Sequence, residues 1–312
     1  MKKNKKKRKK TIIIMSKAII TAERLVQLSQ FNPRLQNVWY LLASSALSAL
    51  NQPQEIPKLY HYTLMLHYNS TLPVKQRATP IELANKTIDL LSNCDCHSHH
   101  TTHHKPHNLI DKLYPIYLGG KTSNLDTYRQ ITIRLRESLL KICPLVGLPR
   151  GINSLHHLHS TTPTSILNSI DHPHTKIDMY NDSTDVDACP ESSTLRTQTR
   201  TTETVSEVYI RGKKYWNKVY DKVSNRVAND LYSSYPDLWY YTLRHVYGPI
   251  LSFNGVLSGC DTSLVIIAAL VPLEVPAQLR GHLRGALNVG CDEEAVGGAK
   301  EMASLVARWC GE

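Results

Sequence analysis

A run of side chains that commonly bind metals lies between residues 92 and 108. It contains two cysteines and six histidines: Cys94, Cys96, His97, His99, His100, His103, His104 and His107. Thiolate and imidazole groups are the ligands that Zn and Cu prefer. The spacing matches no closed zinc site, however, and the segment has almost no apolar residues to hold a site in place. We therefore interpret it as a disordered insert that binds metal only adventitiously, and we predict no metal site and no cofactor.

The remaining thiols give no sequence signal of catalysis. The chain has seven cysteines at irregular spacings and no Cys-x-x-Cys pair, which indicates a reducing compartment rather than a disulfide framework. Without a positioned base, Cys143, Cys260, Cys291 and Cys310 are interpreted as core or surface residues. Glycine-rich phosphate loops, Gly-x-Ser-x-Gly and His-Glu-x-x-His are missing, which argues against nucleotide-binding enzymes, serine hydrolases and zinc metalloproteases.

The positive charge of the chain is concentrated at its start. The formal net charge is +11, and eight of the first ten residues are Lys or Arg, so the rest of the chain carries only about +3. Residues 2–10 are either a disordered, self-repelling end or a nuclear or RNA-binding signal. Met15 follows this tail and is a second candidate start. We expect no membrane span, because no run of 18 apolar residues occurs.

Hydrophobic periodicity predicts helices throughout the first half of the chain. Thr21 is a candidate cap for the first helix, and Asn32–Pro33 interrupts the pattern before a second helix over 35–50. Further helices are predicted over 55–67, 81–91 and 125–143. Residues 156–202 are rich in Ser, Thr, Asp and His and have little periodicity, so this stretch is predicted to be a linker or a large loop.

The second half also reads as helical. Ser258 is a candidate cap, Gly290 a candidate helix stop, and the acidic residues from Asp292 favour the start of a last helix. The sequence predicts five helices here, over 205–231, 236–247, 264–271, 275–289 and 292–308. No strand pattern competes with them. The predicted fold class is therefore all-α.

These elements divide the chain into six predicted parts. They are a basic disordered tail over 1–15, a helical region over 16–91, the His/Cys-rich insert over 92–108, a helical region completing the first half over 109–158, a Ser/Thr-rich linker over 159–202 and a C-terminal helical domain over 203–312.

The C-terminal part carries a resemblance to a known family. Arg211-Gly212, Tyr247-Gly248, the apolar run 263–270 and the segment 279–290, Leu-Arg-Gly-His-Leu-Arg-Gly-Ala-Leu-Asn-Val-Gly, resemble the carboxymuconolactone decarboxylase family in order and spacing. That family belongs to the AhpD-like helical fold, and the match covers about 205–308. A weaker echo over 134–153 is similar to the closing helices of the same unit. The whole chain resembles fungal members with two divergent helical halves joined by disordered loops.

The resemblance implies a pocket between helices, usually completed by oligomerisation, with His282 as the proton-transfer group. Imidazole titrates near neutral pH and can move a proton to or from a carbon acid. Arg284 and Asn288 are the candidate substrate-binding residues, although Arg284 lies about 200° around the helix from His282. The alternative is that His282 is a buried histidine that links helices.

The chain departs from the family at the positions of the partner groups. Peroxidase-type relatives carry a Cys-x-x-Cys pair where this chain has Val275 and Gln278, so thiol peroxidase chemistry of that type is not expected. The acid that such relatives carry nineteen residues before the histidine is replaced by Ser263, whose hydroxyl can only hydrogen-bond. A glutamate often found in decarboxylase-type members is replaced by Pro249.

Asp261 and Glu274 are the nearby acids that remain as substitutes for the missing partner. A histidine without a partner acid is a poor acid–base pair, so two functions stay open. The chain either binds or converts a small organic acid or lactone, as a decarboxylase-like lyase, or keeps the fold as a non-catalytic scaffold. A homo-oligomer is expected, membranes are not, and nucleic acid would involve only residues 2–10. The cytoplasm, mitochondrion and peroxisome stay open as locations.

Overall fold

The structure is a computed structural model that describes residues 18–92, 110–112, 124–170, 194–198 and 203–311. The described residues form helices and turns with no strand, which confirms the all-α prediction. The basic tail over 1–15, most of the His/Cys-rich insert and the greater part of the predicted linker lie outside these residues. No helix among the described residues is long and apolar enough to cross a membrane.

Besides three short 3-10 helices and the helical residues 110–112, eight α-helices precede the C-terminal part within the described residues. They are α1 (Ala22–Ser29), α2 (Trp39–Ala49), α3 (Ile56–Thr71), α4 (Pro80–Ser92), α5 (Leu125–Val146), α6 (Leu148–Thr161), α7 (Thr164–Ile170) and α8 (Leu195–Gln198). Thr21 caps α1 as predicted, because its side chain accepts a hydrogen bond from the Arg24 backbone N–H. The last two helices lie inside the predicted linker, and Ile166 of α7 is fully buried.

The C-terminal part contains six α-helices and one π-helix. They are α9 (Val205–Tyr220), α10 (Ser224–Ser234), α11 (Pro236–Tyr241), the π-helix (Thr242–Leu251), α12 (Gly259–Leu270), α13 (Pro276–Val289) and α14 (Glu293–Gly311). The Ser258 cap and the Gly290 stop are confirmed, because Ser258 forms a capping box with Asp261 and Gly290 adopts a left-handed φ of 101°.

Two predicted helices of this part are divided in the structure. The helix expected over 205–231 ends at Tyr220, since Asp221 has a φ of 46° and a short turn follows before α10. The aromatic helix expected over 236–247 becomes α11 and the longer π-helix. The spacing of apolar residues predicts neither division. The first occurs at Asp221, which is not a glycine, and the second is a change from α-helical to π-helical hydrogen bonding.

Helices α2 and α12 form the centre of the molecule. Every residue of α2 is buried, as is every residue of α12 from Thr262 to Leu270, and a helix that is apolar all round belongs in a core. These two helices pack against each other, against α5 and against α14. One buried cluster therefore runs from Ile19 to Trp309 and joins both halves of the chain.

Candidate functional site

The candidate site is built around α9 and the π-helix, which approach each other closely. A capping box between Thr204 and Glu207 fixes the start of α9. A Cβ atom added to Gly212 of α9 would lie 2.6 Å from the Cα atom of Gly248 in the π-helix, so only glycine fits there. π-Helices are rare and frequently occur at functional sites. The close approach puts the aromatic side chains of the two helices in contact.

Those aromatic side chains surround Trp216, which is almost fully buried. Its ring centroid lies 4.2 Å from that of Tyr220, 4.7 Å from that of Tyr247 and 5.0 Å from that of Trp239. Together with Leu243, Val246, Leu251, Ile266 and Leu270 these rings form a second core beside the main one. The polar groups of the cluster are its tyrosine hydroxyls and the indole N–H groups, of which that of Trp216 donates to the Ser224 carbonyl at 3.3 Å.

Three tyrosine hydroxyls lie within this cluster. Tyr247 donates a hydrogen bond to the Tyr220 hydroxyl at 3.2 Å, and burial raises the pKa of both side chains, so both are neutral. Burial also raises the pKa of Tyr215 to about 12, and the nearby Ser263 hydroxyl partly offsets that rise. The Tyr215 Oη atom nevertheless has no hydrogen bond of good geometry among the described residues.

His282 lies at the edge of the same cluster. Its ring centroid is 6.4 Å from that of Tyr220, in an edge-to-face arrangement. The side chain is half-buried, and desolvation lowers its pKa to about 4, so the imidazole is neutral near pH 7. None of the hydrogen bonds among the described residues involves this imidazole, unlike that of His61, which bonds the Thr161 carbonyl at 2.9 Å.

The other candidate residues occupy different places. Ser263 is buried on α12 beside Tyr215, so α9 contacts both Ser263 and His282 through two different tyrosines. Asn288 donates its side-chain N–H to the Val219 carbonyl at 2.9 Å, which ties α13 to α9. Arg284 is exposed, on a different face of α13 from His282.

The two acids left by the sequence as substitutes are not paired with His282. Asp261 accepts from the Ser258 backbone N–H in the capping box and lies 3.3 Å from Arg134 of α5. Glu274 is exposed, with a left-handed φ of 55°, at the turn before α13. Neither acid is therefore a partner of His282, whose recorded ring contact is with Tyr220.

Lys141 binds the backbone carbonyls at the end of the π-helix. Its ammonium group is fully buried and donates to the carbonyls of Ile250, Leu251 and Phe253 at 3.0, 3.0 and 2.7 Å. Burial lowers the pKa of Lys141 to about 7, and the carboxylate of Glu137, 3.8 Å away, opposes that shift. Only the charged form has three N–H donors, so this geometry requires an ammonium group.

A surface groove of about 530 Å³ lies elsewhere in the molecule. It is bounded by α1 and α14, and Gln27, Phe31, Lys300 and Arg308 are among its lining residues. It contains none of the predicted site residues. The groove is open to solvent, whereas His282 lies beside the buried rings of the aromatic cluster.

Sequence reasoning missed the tyrosines. The sequence patterns single out no role for Tyr220, and Tyr247 enters only as part of the pair Tyr247-Gly248. Their hydroxyls meet because two helices far apart in sequence touch at Gly212 and Gly248, a contact that apolar spacing does not encode. The one available signal was the presence of tyrosine rather than phenylalanine at these positions, since a buried hydroxyl needs a partner.

Comparison with known proteins identifies relatives over nearly the whole chain. Peroxisomal protein 2 of Saccharomyces cerevisiae is 43% identical over 296 residues, which cover 94% of this chain and 95% of that protein. Peroxisomal protein 2 of Schizosaccharomyces pombe is 39% identical over 178 residues, which cover 57% of this chain and 70% of that protein. No protein-family profile matches the chain. No solved structure matches it either.

Proposed function

The chain belongs to the family of the fungal proteins named peroxisomal protein 2, and we propose that it acts on a small organic acid or lactone in a helical pocket of carboxymuconolactone decarboxylase type. His282 is the proton-transfer group of this proposal, and Tyr220 and Tyr247 are its hydroxyl partners. The observation that carries the proposal is the half-buried, neutral imidazole of His282, which makes no hydrogen bond with the described residues. The fully buried His61, by contrast, bonds a ring nitrogen to the Thr161 carbonyl, as buried polar groups normally do.

The hydroxyl pair supplies a second argument. Tyr220 accepts a hydrogen bond from Tyr247, so the proton of its own hydroxyl stays available for a ligand. A neutral donor beside a neutral acceptor suits a ligand that carries the negative charge itself. Such a ligand also raises the pKa of His282 from about 4, because an opposite charge nearby favours the protonated imidazole. A bound organic acid would therefore favour the protonated form of His282, which is the form that can donate a proton.

A ligand screen tests this proposal. The full chain is heated with lactones, keto acids and hydroperoxides, because a ligand that binds the native state raises the melting temperature. We expect one acid or lactone class to raise it, and His282→Gln and Tyr220→Phe to lose that shift. His245→Gln, which alters an exposed histidine of the π-helix, is the matched control and keeps the shift.

A second candidate function is a scaffold that keeps the fold without the chemistry. It is favoured by the engagement of Asp261 with Arg134 and of Asn288 with Val219, which leaves both side chains to structural contacts. The same screen separates the two. A chain that melts cooperatively and gains no stability from any of these compounds supports the scaffold and contradicts the pocket.

Self-association is part of the proposal, because pockets of this fold type are completed by a second copy. Exposed aromatic and aliphatic side chains from α10 to the start of the π-helix favour it: Tyr232, Tyr235, Leu238, Tyr240 and Tyr241 are each at least 40% exposed. Light scattering coupled to size-exclusion chromatography gives the mass of the assembly. Tyr235→Lys with Tyr240→Lys is expected to convert an oligomer to a monomer, and a parent chain that is already monomeric contradicts this part.

The names of both relatives favour the peroxisome among the compartments left open. We propose that this chain resides there as well. Immunostaining of the untagged chain in its own cells, with a peroxisomal marker in the same image, tests the location. A diffuse signal that does not overlap the marker contradicts it.

A further inference from the structure

The start of α12 contacts the end of α13. A Cβ atom added to Gly259 would lie 2.8 Å from the Cγ1 atom of Val289, so the glycine allows the two helix ends to meet. Cys260 follows Gly259 in the first turn of α12. Cys291 follows the Gly290 stop of α13, and its backbone N–H donates to the Ala286 carbonyl at 3.0 Å. Both cysteines therefore sit on fixed backbone beside the same contact.

The two thiols are neighbours in space although 31 positions separate them in sequence. The Cys291 thiol donates to the Cys260 carbonyl oxygen at 3.7 Å, and the Cys260 side chain lies near enough to contribute to the raised pKa of the Cys291 thiol. Both residues are partly exposed rather than sealed in a core, so small molecules reach them. The pair also lies close enough to Tyr215 to influence it electrostatically. These contacts are more than two isolated core cysteines require.

We propose that Cys260 and Cys291 are a dithiol site that closes to an intramolecular disulfide by exchange with a low-molecular-weight disulfide. The site is independent of the chemistry proposed for His282. Its closure ties the first turn of α12, three residues before Ser263, to the end of α13, the helix of His282.

The exchange takes two balanced steps. Cys260, in the first turn of a helix where negative charge is favoured, loses its proton to solvent and attacks one sulfur of the small disulfide. A mixed disulfide forms and one small thiolate leaves, taking a proton from solvent. Cys291 then attacks the Cys260 sulfur and gives its proton to the second small thiolate. Two protein thiols are oxidised and one small disulfide is reduced to two thiols.

Cys291 is suited to the second step. Burial is the main cause that raises the pKa of the Cys291 thiol, and Cys260 is a further cause, so Cys291 keeps its proton while Cys260 makes the first attack. Asp261 is adjacent and would oppose a thiolate on Cys260, but its charge is balanced by Arg134 at 3.3 Å. The pair therefore has one sulfur that attacks and one that resolves.

The test treats the full chain with oxidised glutathione, blocks free thiols with a maleimide and maps the peptides without reduction. We expect a Cys260–Cys291 cross-linked peptide that dithiothreitol removes, together with a rise in melting temperature that reduction reverses. Cys291→Ser is expected to lose the cross-link and to accumulate a single glutathione adduct at Cys260. Cys260→Ser is expected to lose both.

Cys310→Ser is the control, because Cys310 is also partly exposed but has no thiol partner among the described residues. It is expected to keep the cross-link at the parent level. The mapping of the parent chain does not depend on any variant folding. Recovery of Cys260 and Cys291 both as maleimide adducts after oxidation, or of either one joined to a different cysteine, overturns the proposal.

Discussion

At the scale of single residues, the buried His61 and the half-buried His282 have the same lowered pKa but different surroundings. Desolvation lowers the pKa of both His61 and His282 to about 4. His61 donates its Nε2–H to the Thr161 carbonyl, since a carbonyl can only accept, and its neutral form is therefore fixed by structure. His282 has no such partner among the described residues. The first is a structural group, and the second is the one that the proposed function assigns to a ligand.

Together with His282, whose lowered pKa acts in the same direction, His61 makes the fold less stable in acid. The pKa of His61 is about 4 in the fold and about 6.5 in the unfolded chain, so the unfolded chain binds the proton first. The contribution of His61 to stability is nearly complete above pH 6.5 and falls by about 3 kcal/mol as the pH drops to 4. Urea unfolding across this range measures the loss. His61→Gln keeps an N–H donor without titrating, so its stability is expected to fall by less, and identical pH profiles would contradict this.

Lys141 gives a second residue-scale prediction. Lys141→Met removes the ammonium group and leaves the carbonyls of Ile250, Leu251 and Phe253 buried without their donor. Breaking one side of a buried charged network costs about 3–5 kcal/mol. Lys300→Met, at an exposed position of α14, is the control and should change stability by less than about 0.5 kcal/mol. Equal urea midpoints for the two variants would rule out a capping role for Lys141.

At the scale of elements, helix ends were predictable where a side chain makes them. Thr21, Ser258 and Gly290 each carry a local signal, a side-chain oxygen for a backbone N–H or a free left-handed φ, and each acts as predicted. The π-helix carried no such signal. Its apolar positions fit an α-helix, and its register is set by contacts with Lys141 and α9 that come from distant parts of the chain.

The sequence predicted one part of the candidate site and missed the parts that other helices supply. The segment around His282 marks one helix, but the hydroxyls of Tyr220 and Tyr247 come from two others. The thiol pair of Cys260 and Cys291 could not be predicted at all, because only the packing of α12 against α13 brings positions so far apart together. The spacing of apolar residues shows which face of a single helix is buried. It does not show which residues of two different helices meet, and a site between helices depends on that contact.

The contact between α9 and the π-helix can be tested at its closest point. Gly212→Ala places a Cβ atom against the Gly248 backbone, which cannot move aside as a side chain can, so we expect a loss of about 1–3 kcal/mol. Gly297→Ala is the matched control in α14, where nothing lies within 4 Å, and alanine should stabilise the helix by about 0.5–1 kcal/mol. Thermal melts of both variants give the comparison. Opposite signs support the close approach, and two neutral results contradict it.

At the scale of the whole molecule, the two halves of the chain form one common hydrophobic core. α2 from the first half and α12 from the second bury each other, and the Arg134–Asp261 ion pair links α5 to α12. The last helix packs beside the first elements, since a Cβ atom on Gly298 would lie 2.8 Å from the Asn32 side chain. The family resemblance covers about the last third of the chain. The central helix of that part, α12, is covered by helices of the first half.

The interdependence of the halves leads to the last prediction. A fragment of residues 203–312 keeps the aromatic cluster but exposes the faces of α12 and α14 that α2 covers. Burial of apolar surface contributes about 25 cal/mol per Å², so the loss of these faces should leave the fragment without a cooperative melt. Circular dichroism on heating, for the fragment and for the full chain, makes the comparison. A sharp transition in the fragment would show that the C-terminal helices fold alone, and that α2 is an addition to a complete unit rather than half of its core.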